Sequence, residues 1–265
     1  MEAIPIPGFS EPISSWTHYL GAFLAVVFGV MLINRVWGSS KRRVSAYVIF
    51  ALGTVFLFSM SGTYHLLEPG GTPRFVLRRL DHAAIFVLIA ASFTPVIFDA
   101  FSPRSRVAIL SFVWTAALCG VLLKVVWLDD IPEWIGLSLY FGLGWFGAVT
   151  GALTASKFGI RPMRPLLLGG IMHTVGALFD FAQWPILVPG VFGPHEIFHV
   201  FVLAGMAFHW SFVFRTAEAP LVPRPAWILQ KRRAALLRRL RRRRGISILA
   251  RVPRPVAKEL DPVAR

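Results

Sequence analysis

The chain has 265 residues, is 55% hydrophobic with a mean hydropathy of +0.63, and contains a single cysteine. That profile excludes an ordinary soluble domain, an internal disulfide and a cysteine-based zinc cluster. Net charge is +15 and uneven: residues 216–265 carry 14 Lys and Arg against 3 Asp and Glu, a net +11, so the C-terminal tail dominates.

Seven apolar runs long enough to span a bilayer follow one another, at about 16–37, 44–67, 81–101, 107–128, 133–155, 164–187 and 194–215. They are continuous rather than alternating, which predicts helices and not a membrane β-barrel. The expected architecture is all-α: an N-terminal segment (1–15), a seven-helix transmembrane bundle (16–215) and an Arg-rich tail (216–265). No basic stretch precedes Trp16, so a cleaved signal peptide is not expected. Cys119 falls mid-span and reads as a small packing residue. The glycine-rich fifth and sixth spans (FGLGWFGAVTGAL, LLLGGIMHTVGAL) suit close helix contacts, within the bundle or in a homo-oligomer.

The tail contains KRRAALLRRLRRRR, nine basic residues in fourteen (231–244). Apolar residues interrupt the run, as in an amphipathic basic helix lying on anionic lipid headgroups. Nucleic acid is the rival partner for such a cluster and is not expected beside seven spans. Beyond Pro253 the composition predicts disorder.

Seven spans put the termini on opposite sides. Arg74, Arg78 and Arg79 on the N-terminal side are outweighed by Glu2, Glu11, Glu68, Asp129, Asp130 and Glu133. Lys41, Arg42, Arg43, Arg104, Arg106, Lys157, Arg161, Arg164 and the tail lie on the other side, and the positive-inside rule places that side in the cytoplasm.

Polar residues gather at the N-terminal side. His18 begins span 1, Ser61 and His65 end span 2, Asp81 and His82 begin span 3, and His195 and His199 begin span 7. His195 and His199 are four apart and share a helix face. With His65 they form a three-imidazole set suited to a catalytic Zn2+, which lowers the pKa of water to about 7. Asp81 is placed beside that water as proton acceptor. Ser61, one turn before His65, would hydrogen-bond the water or orient the site. Taken singly, these residues also fit helix-end polarity, and His18 and His82 read as packing or hydrogen-bonding residues. HEIFH matches HExxH, but no further ligand follows at metzincin spacing, so a zincin-type protease is the lesser reading. Glu196 is then either a helper in proton transfer or a first-turn carboxylate favoured by the helix dipole. A second metal site at His173 and His209 is likewise a lesser reading.

SSWTHYLGAF, SGTYHLL, RRLDHAAIFVLIAASFTPV and HEIFHVFVLAGMAFHW together resemble the hemolysin III-like bacterial proteins, which belong with the progestin and adipoQ receptors. The similarity runs from about Glu11 to Phe214. It implies a multi-pass protein of the bacterial plasma membrane with zinc on His65, His195 and His199, and with Asp81 and Ser61 near the metal's water. For the receptor branch it implies a ceramidase-like lipid amide hydrolase, and for the bacterial branch haemolysis and pore formation. It also implies a metal end facing the cytoplasm, opposite to the charge count. His173 stands where an aromatic residue is expected in the bacterial relatives, and no function is assigned to it. Three readings follow: a zinc hydrolase of lipid amides or esters, a membrane-active pore former, and a lipid-sensing receptor with a structural metal.

Overall fold

The computed structural model describes residues 4–218 and 221. The basic tail therefore lies almost entirely outside the described residues. Seven helices run in order: α1 (Pro12–Val36), α2 (Lys41–Leu66), α3 (Thr72–Ala100), α4 (Pro103–Trp127), α5 (Glu133–Phe158), α6 (Ile160–Ala182) and α7 (Pro194–Glu218). Each is long and apolar enough to cross a membrane. At about 1.5 Å per residue they exceed the roughly 30 Å of a hydrocarbon core.

Local sequence sets the boundaries. Proline opens α1, α3 and α4, where its missing N–H costs nothing. The hydroxyls of Ser40 and Ser102 cap α2 and α4 by accepting from Arg43 N and Ser105 N. α3 starts at Thr72, well before the expected position 81, because Arg74, Arg78 and Arg79 interrupt the apolar run without breaking the helix. Asp81 and His82 thus sit inside α3 rather than at its start. α6 stops at Ala182, short of 187: Gln183 adopts a left-handed conformation, its N–H bonds to the Asp180 carbonyl, and Pro185 disfavours continuation.

Outward faces are apolar. On α1, Leu20, Phe23, Val27 and Val30 are exposed while Ala22, Ala25, Gly29 and Leu32 are buried. In water such a stripe would drive aggregation, whereas in lipid it faces its proper solvent. Exposed Trp16, Trp127, Trp134 and Trp184 ring one end of the bundle, as interfacial tryptophans do. Cys119 also faces outward rather than packing inside.

α3 is central, touching α2, α4, α5 and α7, and α7 closes the bundle against both α6 and α1. One core joins Leu32, Tyr47, Phe50, Phe58, Ala84, Met206 and Phe212. A second joins Phe86, Ala90, Ile97, Val113 and Ala117. At Gly53 an added Cβ would lie 2.5 Å from the Ala91 Cβ, so α2 and α3 approach more closely than a side chain permits. α5 packs chiefly on α6. The glycines of the two helices divide: Gly169 and Gly176 are close-packed, while a Cβ on Gly144, Gly151 or Gly170 would meet nothing within 4 Å. Those three line a cavity, so only part of the glycine pattern serves close packing.

At the end opposite the tryptophan ring, the Arg43 guanidinium donates to both Asp99 oxygens (3.0 and 2.9 Å) and to the Thr216 carbonyl (3.0 Å). Tyr47 donates to Asp99 at 2.7 Å. This network ties α2, α3 and α7 together. Removing the carboxylate strands a largely buried cation, at a cost of about 3 kcal/mol. Asp99→Ala is expected to lower the thermal midpoint in detergent without changing metal content per folded chain.

Candidate metal centre

His65 lies in the last turn of α2, and His195 and His199 lie in the first two turns of α7. Each offers a ligand nitrogen, and these atoms lie within 4.8 Å of one another. His65 and His199 are each only 2% exposed, so neither is a surface histidine.

Every one of the three rings has its Nδ1 beside a protein acceptor. His65 Nδ1 meets a Glu11 carboxylate oxygen. His195 Nδ1 meets Asp180 Oδ1 at 3.1 Å, and His199 Nδ1 meets the Ser14 carbonyl at 3.3 Å. These acceptors impose the tautomer with hydrogen on Nδ1 and leave each Nε2 as a lone pair. The Nε2 atoms of His65 and His195 stand 3.2 Å apart. On this tautomer neither has a hydrogen to share. Two nitrogens each about 2.0–2.1 Å from one tetrahedral ion stand roughly 3.3 Å apart, so the donor set fits a metal ion between them.

The supports are themselves held. Arg74 grips Glu11 and the Leu67 carbonyl. Burial pushes the Glu11 carboxyl up, but its hydrogen bonds with His65 and Arg74 and the Arg74 charge outweigh it and hold the group below its usual range. It is therefore ionised at neutral pH. Glu11 occupies the N-cap position of α1 but makes no side-chain cap. α1 is also stitched to the end of α2: Ser10 N and Glu11 N donate to the Leu66 and His65 carbonyls (3.2 and 3.0 Å), and Ser15 Oγ to the Gly62 carbonyl (2.9 Å). These carbonyls would otherwise be unsatisfied at a helix end.

Asp81 and Ser61 line the same cavity as His195 and His199. Ser61 is buried. Asp81 makes no hydrogen bond among the described residues, and the His82 ring stands beside it with Nδ1 at 4.0 Å. Glu196 is different, because both its oxygens are taken. Ser14 Oγ donates to one at 3.0 Å and Gly193 N to the other at 2.9 Å, capping α7. That supports the first-turn role for Glu196. His18 packs, as expected: its ring stacks on His199 at 3.7 Å between centroids and 7° between planes. His82 Nδ1 donates to the Arg78 carbonyl at 2.8 Å.

The cavity, of about 830 Å³, runs between α3, α5, α6 and α7 from Asp81 and His195 toward Met163 near the other end. Its walls are mainly apolar. A second, more polar hollow of about 1100 Å³ lies between residues 5–11, the α2–α3 loop and the α6–α7 loop. His195 lines both.

These features define a seven-helix membrane protein with a three-histidine group able to hold a metal ion at one end of the bundle. The family model described as "Haemolysin-III related" matches residues 9–210, and the chain belongs to that family. It is 30% identical to "Hemolysin-3 homolog" of Bacillus subtilis (strain 168) over 195 residues, covering 72% of this chain and 86% of that protein. It is 28% identical to "Hemolysin-3" of Bacillus cereus over 193 residues, 72% and 84% of the two chains. "Heptahelical transmembrane protein 4" of Arabidopsis thaliana is 29% identical over 179 residues, 62% of this chain and 46% of the plant protein. The seven spans and the bacterial relatives make this a multi-pass cell-membrane protein.

Purified protein is expected to retain about one transition-metal ion per chain by plasma mass spectrometry, with the ion lost in each of His65→Ala, His195→Ala and His199→Ala. Glu11→Gln leaves the ligands in place but removes the charge behind His65. Competition with a chelator is expected to show affinity about 10–100-fold weaker.

Proposed function

We propose that this protein is a zinc-dependent hydrolase cleaving an amide or ester bond of a membrane lipid. The observation that carries the reading is positional: in the three-imidazole cluster, His195 lines both a long apolar cavity and a polar hollow, and His199 lines the cavity beside it. The cavity accepts an acyl chain, and the hollow admits water and receives the headgroup. A volume of about 830 Å³ is within the usual range for pockets that bury most of a small molecule.

His65, His195 and His199 would hold the ion, with Glu11, Asp180 and the Ser14 carbonyl fixing the rings. A zinc ion there supplies Lewis acidity at the scissile carbonyl and brings the pKa of water near neutrality. Asp81, unpaired on the cavity wall, takes the proton from the attacking water and returns it to the leaving nitrogen or oxygen. Ser61 presents its hydroxyl to the reacting oxygen from α2. The stacked His18 keeps the His199 ring from tilting. Glu196 takes no part, since both its oxygens are engaged in holding α7.

The name of the Bacillus cereus relative, "Hemolysin-3", supports a second reading as a membrane-active protein in which the metal is structural.

Asp81→Asn is expected to keep its metal and lose about 10²–10⁴-fold in fatty-acid release from lipid amides or esters. Glu196→Gln should retain turnover once folded. Turnover by metal-loaded Asp81→Asn at the wild-type rate would remove Asp81 from the chemistry. Leakage of dye-loaded liposomes by wild type and His65→Ala alike would favour the second reading.

A further inference from the structure

The three loops at the metal end differ in kind. The α2–α3 loop carries Glu68, and the α4–α5 loop carries Asp129 and Asp130. The stretch FAQWPILVPGVFGP (181–194), which includes the whole α6–α7 loop, has no charged residue and is the longest of the three connections. Its side chains do not fold inward. Trp184 is 66% exposed and Leu187 61%, and Ile186, Val188 and Val191 are exposed with them. The N-terminal turn lies against this loop, with Ile4 N donating to the Gly190 carbonyl at 2.6 Å. Ile4 and Ile6 are exposed as well.

The backbone of the loop is suited to a place poor in water. Gln183 N and Trp184 N donate to the Asp180 and Phe179 carbonyls, at 3.1 and 3.3 Å. Leu187 N and Val188 N both donate to the Phe192 carbonyl at 3.0 Å, and Val191 N and Phe192 N return to the Val188 carbonyl at 3.0 and 2.8 Å. Gly193 N is taken by Glu196 Oε2 at 2.9 Å. Pro185 and Pro189 have no N–H to satisfy. A loop in bulk water can leave such donors to the solvent, whereas here the protein itself meets most of them. Apolar side chains outward and backbone donors inward is the arrangement that lipid demands and water does not.

We infer that the α6–α7 loop, with Ile4 and Ile6 beside it, inserts its apolar side chains into the membrane leaflet at the metal end. Lipid is the fitting occupant because this surface continues one that already faces lipid. Leu178 and Phe181 are exposed on the last turns of α6, and Trp184 belongs to the tryptophan ring. The depth is bounded by the prolines: carbonyls outnumber donors in the loop, and an unpaired carbonyl is not tolerated in hydrocarbon. The loop therefore lies at the boundary of headgroups and acyl chains. Ile186 and Val191 also line the polar hollow, so the inserted loop forms part of its rim. The inference is independent of what the metal centre catalyses.

The test uses the full-length chain in phosphatidylcholine vesicles. Cys119→Ser removes the one native cysteine, and Leu187→Cys, Val191→Cys and Asp130→Cys are then spin-labelled singly in that background. Collision with oxygen, against collision with a water-soluble nickel complex, reads the depth of each label. The labels at 187 and 191 are expected about 5–10 Å inside the headgroup boundary, and the label at 130 in water. All three at one depth, in water or in lipid, overturns the inference. So does dipolar broadening at 187 and 191 that grows with the protein-to-lipid ratio, because the face then pairs with a second copy. Should the cysteine variants fail to fold, the native tryptophan decides. The fluorescence that Trp184→Phe removes is expected to be quenched by phospholipid brominated near the headgroup end of its acyl chain. If that fluorescence is indifferent to the brominated lipid, the loop is not inserted.

Discussion

An imidazole has two nitrogens, and at the metal end each ring has one already committed. Glu11, Asp180 and the Ser14 carbonyl each occupy an Nδ1, which turns the three remaining lone pairs inward. Much of the surrounding architecture serves those contacts. The left-handed turn at Gln183 ends α6 just beyond Asp180. The stitching of α1 to the end of α2 places Glu11 beside His65 and Ser14 beside His199. Arg74, three residues into α3, holds Glu11 in turn. Elements from five helices thus converge on one small set of nitrogens.

The carboxylates near this end divide by what they already hold. Glu196 sits beside a histidine in an HExxH string, which on sequence alone suggests a base, yet it spends both oxygens on the α7 cap and on α1. Asp81 lies inside α3, remote in sequence from every ligand, and keeps its oxygens free on the cavity wall. A free acceptor has something to offer chemistry, and a saturated one is structure.

Much of the bundle was legible because bilayer thickness imposes a length and an apolar composition on each span. His65, His195 and His199 were legible because polar residues at one membrane depth stand out against that background. Glu11, Asp180 and Arg74 were not, since a carboxylate just outside a span carries no periodic signal and its partner is distant in sequence. The Ser14 carbonyl has no side-chain identity to read at all. The start of α3 was missed for a related reason: hydropathy marks where a helix enters lipid, whereas its hydrogen bonding began at Thr72. Glycines in α5 and α6 read as contacts, but a missing side chain equally widens a cavity, and only the neighbours decide.

The ligand set also has a consequence for biogenesis. His65 and His195 meet across 130 residues of chain, and two of the three imidazoles arrive with the last helix. A chain inserted only through α6 presents one lone imidazole, and its Asp180 carboxylate has no ring to orient. Closure of α7 between α6 and α1 is the event that creates the donor set. An ion held there would therefore be captured late in assembly, and would tie the seventh helix to the second.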